Sequence, residues 1–223
     1  MDRLLPTGPT SIAPGAVHLP GWLDPDVRVE LVLRCRDWGE ASGGPRRPRM
    51  RNGSSMSVGM VGLGWHWYPY RYSRTRDDGD GGRALAFPEW LGALSRRAVG
   101  DAVAVDPLVA ADLDGFTPDV ALVNWYRPGT KMGMHVDGDE PAPAPVVSFS
   151  VGVTAVFRFG NPGGRGRPWT DVLLESGDVV VFGGPSRLAY HGLTKLVPGT
   201  DDPGVGVIPG RLNVTVRQTG LPG

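Results

Sequence analysis

The chain of 223 residues contains one cysteine, Cys35, so it holds no internal disulfide and no cysteine-built zinc site. No apolar run approaches the roughly 18 residues of a membrane span. The N-terminus has no basic stretch leading into an apolar one, so no secretory signal is expected and the cytoplasm is the expected compartment. Lys+Arg and Asp+Glu each number 23, for a formal net charge of +0. That balance excludes a partner held by a bulk electrostatic field and leaves only local patches. Internal repeats, coiled-coil heptads and low-complexity tracts are also missing. What the chain has in excess is turn formers. Gly 34 and Pro 22 make up about a quarter of it, and they fall between apolar runs, as in a turn-rich β protein. The length suits one sizeable domain with a buried core.

Residues 1–20 read as a loosely held lead-in. Asp24-Pro25 reads as a helix N-cap with Pro at the first helical position. Val27, Leu31, Cys35 and Trp38 then recur at helical spacing, with Cys35 as a small core filler. Residues 39–54 read as a loop and Met56–Met60 as a strand. Trp65, Trp67, Tyr68, Tyr70 and Tyr72 follow, either as packing or as a stacking surface for a base. A second helix starts at Pro88, with Leu91, Leu94 and Ala98 on one side. From residue 119 the texture is short strands: Val120–Tyr126, Met132–Val136, Val146–Val151, Ala155–Phe159, Asp171–Leu174, Val179–Phe182 and Leu212–Arg217. Strands at this spacing predict a sandwich or jelly roll covered on one sheet by two helices. Residues 1–118 are thus an N-terminal extension with two helices, and 119–223 a β core, within one structural domain.

His135-Val136-Asp137 carries the chemistry. Positions i and i+2 of a strand share a face, so His135 and Asp137 grip an ion from one side. His191, delivered by the apolar strand Val179–Phe182 and the turn beyond it, completes a two-histidine, one-carboxylate set. That set suits non-haem Fe(II) and keeps coordination positions open. By itself H-x-D is a weak signal. Arg211 and Arg217 lie six apart on the last strand and share a face. If that face is interior, each needs an anionic partner, which a dicarboxylate supplies to guanidinium forks; if it is an edge, they are solvated charges. Further arginines cluster at Arg46, Arg47, Arg49 and Arg51, at Arg71, Arg74 and Arg76, and at Arg165 and Arg167.

Four blocks then resemble the AlkB family of Fe(II)- and 2-oxoglutarate-dependent dioxygenases, bacterial alkylation-repair demethylases among them. They are Asn124-Trp125-Tyr126-Arg127-Pro128-Gly129 running into His135–Glu140; Val146–Gly152; Leu174–Val181 with Gly183–Arg187 and Tyr190-His191-Gly192; and Arg211–Gln218. Weaker similarity reaches back through Met56–Met60 and Tyr70–Ser73, so the resemblance covers most of the chain.

The resemblance implies a mainly β, α+β fold: a double-stranded β-helix with an N-terminal extension and a nucleotide-recognition lid. It implies His135, Asp137 and His191 as iron ligands. Asn124, Tyr126, Arg211, Asn213 and Arg217 become 2-oxoglutarate contacts, with Arg211 on the far carboxylate and Arg217 on the one near iron. Asp139 and Glu140 meet the damaged base, Trp65 and Tyr70 belong to the lid, and Arg165 lies near the base. The implied reaction is oxidative demethylation of N-alkylated bases in DNA or RNA, of the 1-methyladenine or 3-methylcytosine type. It uses Fe(II), 2-oxoglutarate and O2, and it releases succinate, CO2 and formaldehyde from what is expected to be a monomer. The rival readings are a dioxygenase of the same fold acting on a protein side chain or small molecule, and a β-helix binding module without metal.

Overall fold

The computed structural model describes residues 8–76, 81–206 and 210–222. β-Branched and aromatic residues, bounded by glycine and proline turns, set its strands. In chain order these are β1 (Thr10–Ala13), β2 (Ala16–Leu19), β3 (Gly59–Leu63), β4 (His66–Tyr68), β5 (Arg71–Ser73), β6 (Val120–Tyr126), β7 (Met132–His135), β8 (Val146–Gly152), β9 (Ala155–Phe159), β10 (Thr170–Leu174), β11 (Val179–Phe182), β12 (His191–Leu196) and β13 (Arg211–Arg217). Two helices, α1 (Pro25–Ala41) and α2 (Glu89–Val105), precede β6. Asp24 takes the N-cap position of α1, with Pro25 beginning the helix, but its side chain makes no capping hydrogen bond. No helix among the described residues is long and apolar enough to cross a membrane.

A seven-stranded sheet in the order β1-β2-β11-β8-β13-β6-β3 faces a four-stranded sheet in the order β10-β9-β12-β7, while β4 and β5 form a separate hairpin. All the paired strands are antiparallel. This is the double-stranded β-helix. The parity of the large sheet divides its work. Val123, Val147, Phe149, Val179, Val181, Val214 and Val216 point outward and pack with Leu31, Val32, Cys35, Leu91, Ala98 and Val99 of the helices. The alternate positions Asn124, Ser148, Ser150, Arg211, Asn213, Thr215 and Arg217 are also buried, on the inner face. An apolar core therefore lies under the helices, and between the sheets these polar side chains lie beside a second apolar cluster that includes Val146, Phe157, Phe159, Val180 and Phe182.

Two expectations need correction, and one strand is absent from those expected. Residues 10–19 are not a loose lead-in, because β2 is fully buried and pairs with β11 along its length. Residues 1–7 lie outside the described residues. The early strand runs over Gly59–Leu63, where it pairs with β6, and not over Met56–Met60. The segment after His191 is a strand, β12, between β9 and β7. Gly192 hides that strand from a propensity reading. It is required because a Cβ there would fall 2.7 Å from the Met132 carbonyl oxygen. The first 118 residues also supply three strands, β1, β2 and β3, to the large sheet.

Candidate metal and cosubstrate site

His135 ends β7, and His191 opens β12 directly across from it. Asp137 lies just beyond the end of β7, buried, in the segment that leaves the sheet. Their ligand atoms all fall within 4.8 Å of one another. The backbone fixes both imidazoles. Nδ1 of His135 is 2.9 Å from the Gly133 carbonyl, and Nδ1 of His191 is 3.0 Å from that of Ala189. A carbonyl only accepts, so each Nδ1 carries the proton and each Nε2 presents a lone pair. The Asp137 carboxylate oxygens lie 3.6 Å from those two Nε2 atoms, too far for a hydrogen bond. Metal–ligand bonds of roughly 2.0–2.2 Å put neighbouring donors about 3 Å apart, so a modest contraction closes the set on an ion. Asp137 Oδ2 is buried without a hydrogen-bond partner, as expected of an atom meant for a cation.

The electrostatics agree. Burial, then repulsion from His135, pulls the His191 pKa down to about 4, so the ring is neutral near pH 7 and able to coordinate. Burial works against ionised Asp137, but nearby positive charge, that of the Arg217 guanidinium foremost, outweighs it and holds the carboxyl well below its ordinary range.

Arg217 reaches Asp137 Oδ1 through Nη2 at 2.6 Å and Glu140 Oε1 through Nη1 at 3.0 Å. Arg187 braces the same segment, donating to the Asp137 and Ala144 carbonyls and to Glu140 Oε2. Arg211 is different. It is 1% exposed, and its donors go to the Val153 and Leu174 carbonyls and to Ser150 Oγ. Its Nε has no partner, and no carboxylate of the described residues forms an ion pair with it. Burial lowers its pKa to about 10, so it remains a cation near pH 7. A buried guanidinium facing only neutral acceptors is costly unless an anion arrives.

Between the arginines and the triad lies a cavity of about 110 Å³, lined by Asn124, Tyr126, Asn213 and Thr215 among others. Asn124 Oδ1 is buried there and unpartnered, whereas Asn213 is tied to Ser148, Phe149 and Thr215. The residues present thus fit both Fe(II) and a dianionic cosubstrate.

The expected substrate residues separate. Asp139 lines the cavity and accepts from Trp67 Nε1 at 2.8 Å. Glu140 is close by, but its side chain is 0% exposed and held by Arg187, Arg217 and Tyr72. Its carboxylate braces the site from behind. Trp65 is 6% exposed, donates to Asp119 and lies beneath the Arg74 guanidinium at 3.6 Å, so both its indole edge and a ring face are taken. Tyr70 is 52% exposed at the hairpin turn, with Arg51 over its ring. Arg165 lies over Tyr190, exposed. None of these last three lines the cavity; Trp67 does, with Met56, Met60 and Met132.

Tyr72, Arg187 and Trp67 were thus missed as site residues. Hairpin parity was the usable signal, since Trp67 and Tyr72 pair across β4 and β5 and share a face. Two of the clustered arginines hold the hairpin itself: Arg71 covers Tyr68, and Arg46 donates to the Trp67 carbonyl.

The chain matches the model of the 2OG-Fe(II) oxygenase superfamily over residues 15–217. Over 112 residues it is 47% identical to the alpha-ketoglutarate-dependent dioxygenase AlkB of Escherichia coli, covering 50% of each protein. The chain belongs to the AlkB family of that superfamily. This AlkB-family chain is also 33% identical over 222 residues to the DNA N(6)-methyladenine demethylase ALKBH1D of Arabidopsis thaliana, covering 93% of this chain and 50% of the relative. It spans about half the length of these curated relatives. The solved structure of OsALKBH1 superposes with a TM-score of 0.82 at 36% identity, covering 94% of this chain and 99% of that one. The family's metal is Fe(II), and its cosubstrates are 2-oxoglutarate and O2.

Proposed function

We propose that this AlkB-family chain demethylates N-alkylated bases of the 1-methyladenine or 3-methylcytosine type in DNA or RNA. One 2-oxoglutarate and one O2 are consumed per methyl group, and succinate, CO2 and formaldehyde leave. The observation that carries this reading is the cavity itself. A facial triad stands on one wall, the Arg211 guanidinium without a direct ion pair on another, and an indole hydrogen-bonded to the Asp139 carboxylate lines the space between.

His135, Asp137 and His191 hold the metal. Arg211 takes the far carboxylate of 2-oxoglutarate and Arg217 the near one, while Asn124, Tyr126 and Asn213 line the path between. Bound Fe(II) supplies the redox chemistry by which O2 is reduced as 2-oxoglutarate loses CO2. The apolar wall of Met60, Leu122, Phe157 and Leu193 keeps water away from that chemistry. A target base leaves its stack to enter. Trp67 and His135 both line the cavity, and Asp139 offers a carboxylate that favours a cationic methylated base. The relatives named as DNA N(6)-methyladenine demethylase, AlkB and tRNA demethylase support a nucleic-acid substrate.

The test is mass spectrometry of short methylated DNA and RNA oligomers after incubation with the protein, Fe(II) and 2-oxoglutarate, with succinate release followed in parallel. A methyl-sized mass loss that depends on His191 supports the reading. If no methylated oligomer raises succinate release above background, while a protein or small molecule does, the substrate assignment fails.

A further inference from the structure

The lid hairpin touches the site through two side chains. Trp67 and Tyr72 are direct cross-strand neighbours on β4 and β5, so they project from one face. They bond to successive acidic residues just past the metal ligand Asp137, Trp67 to Asp139 and Tyr72 to Glu140. The two contacts differ in what lies behind them. Asp139 faces the cavity. Glu140 is closed off, and the Tyr72 hydroxyl meets not only Glu140 but also Arg217 Nη1, at 3.0 Å. Nη1 of that guanidinium therefore rests on two acceptors, Tyr72 Oη and Glu140 Oε1, while Nη2 holds Asp137. Its Nε is buried and unpartnered. A planar fork gripped at both ends has one orientation, and one of its grips comes from the lid.

We propose that Tyr72 is a positioning residue for the cosubstrate: its hydroxyl fixes the Arg217 guanidinium, so that seating of the lid hairpin sets the affinity of the site for 2-oxoglutarate. This rests on the reading of Arg211 and Arg217 as the carboxylate clamp. Without the hydroxyl, Glu140 Oε1 loses its neutral donor and is left to Arg217 alone, which turns the fork toward Glu140 and away from the cavity. The lid is then a part of cosubstrate binding as well as a cover for the base. A base that shifts the hairpin changes the hold on 2-oxoglutarate, and by linkage the cosubstrate changes the hold on the base by the same factor.

Tyr72→Phe keeps the ring and removes only the hydroxyl. Tyr68→Phe makes the same change on the opposite face of the hairpin, where among the described residues the hydroxyl meets only the Thr75 carbonyl. Direct calorimetric titration of 2-oxoglutarate into Mn(II)-loaded protein reads the clamp without turnover. Tyr72→Phe is expected to weaken binding about tenfold, the scale of one lost hydrogen bond to a charged group, while Tyr68→Phe binds as wild type. Amide exchange across residues 66–73 should slow on adding 2-oxoglutarate to wild type and not to Tyr72→Phe. Binding by Tyr72→Phe within twofold of wild type overturns the proposal even if its melting temperature falls, because Tyr72 would then be merely structural. Equal weakening in both variants overturns it too, since the hairpin as a whole and not this hydroxyl would set the clamp. Wild-type protein that binds no 2-oxoglutarate sinks the clamp itself, and this inference with it.

Discussion

Replacing Arg211 with lysine is the sharpest test of the cosubstrate reading. Lysine keeps the charge on a flexible stem but loses the planar fork. In the folded chain the fork spans the Val153 and Leu174 carbonyls and Ser150 Oγ, leaving Nε for a ligand. A compact ammonium retained by those carbonyls gives up at least one charge-assisted bond to the incoming carboxylate. Such a bond contributes roughly 1.5–3 kcal/mol, and about 1.4 kcal/mol is tenfold in affinity. Arg211→Lys should therefore bind 2-oxoglutarate about ten to a hundred times more weakly. The loss also has a thermal signature. At 100 times its Kd, 2-oxoglutarate stabilises the folded wild type by about 2.7 kcal/mol, roughly 5–10 °C in Tm for a chain this size. The same concentration is only about 10 Kd for a variant tenfold weaker, which leaves about 1.4 kcal/mol and roughly half the rise. Calorimetric titration with Mn(II) present, followed by melting with and without ligand, checks both figures. A Kd within twofold of wild type and an undiminished rise in Tm would remove Arg211 from the site.

Four further variants each have an expected outcome. His191→Ala should lose bound iron, measured by elemental analysis, and all succinate release, while circular dichroism shows the sheets intact; turnover at the wild-type rate would displace the metal site. Trp67→Ala should weaken use of a methylated oligomer by about 1–3 kcal/mol through lost stacking. Trp65→Ala should instead cost about 3–5 kcal/mol of folding stability as a buried aromatic, and the reverse pattern in kinetics and urea melts would return Trp65 to the substrate face. Cys35 gives a pH dependence. Burial raises its thiol pKa far above the ordinary value, so the folded chain keeps a proton that the unfolded chain sheds above about pH 8.5. Its contribution is intact below that pH, and stability then falls by about 1.4 kcal/mol for each further pH unit. Cys35→Ala should lack that part of the slope in urea midpoints taken between about pH 8 and 10; identical slopes would contradict the burial argument.

The amino-acid sequence by itself determined most strands of the β core, β12 excepted, both helices and the chemistry of the metal set. Those signals are local. Val179–Phe182 and Val120–Tyr126 are apolar runs between turns, Pro25 opens a helix, and the six-residue interval between Arg211 and Arg217 puts them on one face whatever surrounds them. Which face that is was not local. Both arginines are buried because β13 lies between β8 and β6, at the heart of the large sheet, and only that pairing order makes the face an interior. The short N-terminal strands were illegible for the same reason: Ala16–Leu19 is four residues long and becomes a strand because β11 offers it an edge. Trp65 and Tyr70, the aromatics expected at the substrate, do not line the cavity, whereas Trp67 does. Five aromatics between Trp65 and Tyr72 look equivalent in composition, and the hairpin register alone turns Trp67 and Tyr72 toward the site while Asp119 and Arg74 claim Trp65. Glu140 likewise reads as one more acid beside Asp139 until three partners close around it. Residue type and spacing fix what a side chain is able to do, whereas partners distant in sequence decide whether it is left free to do it.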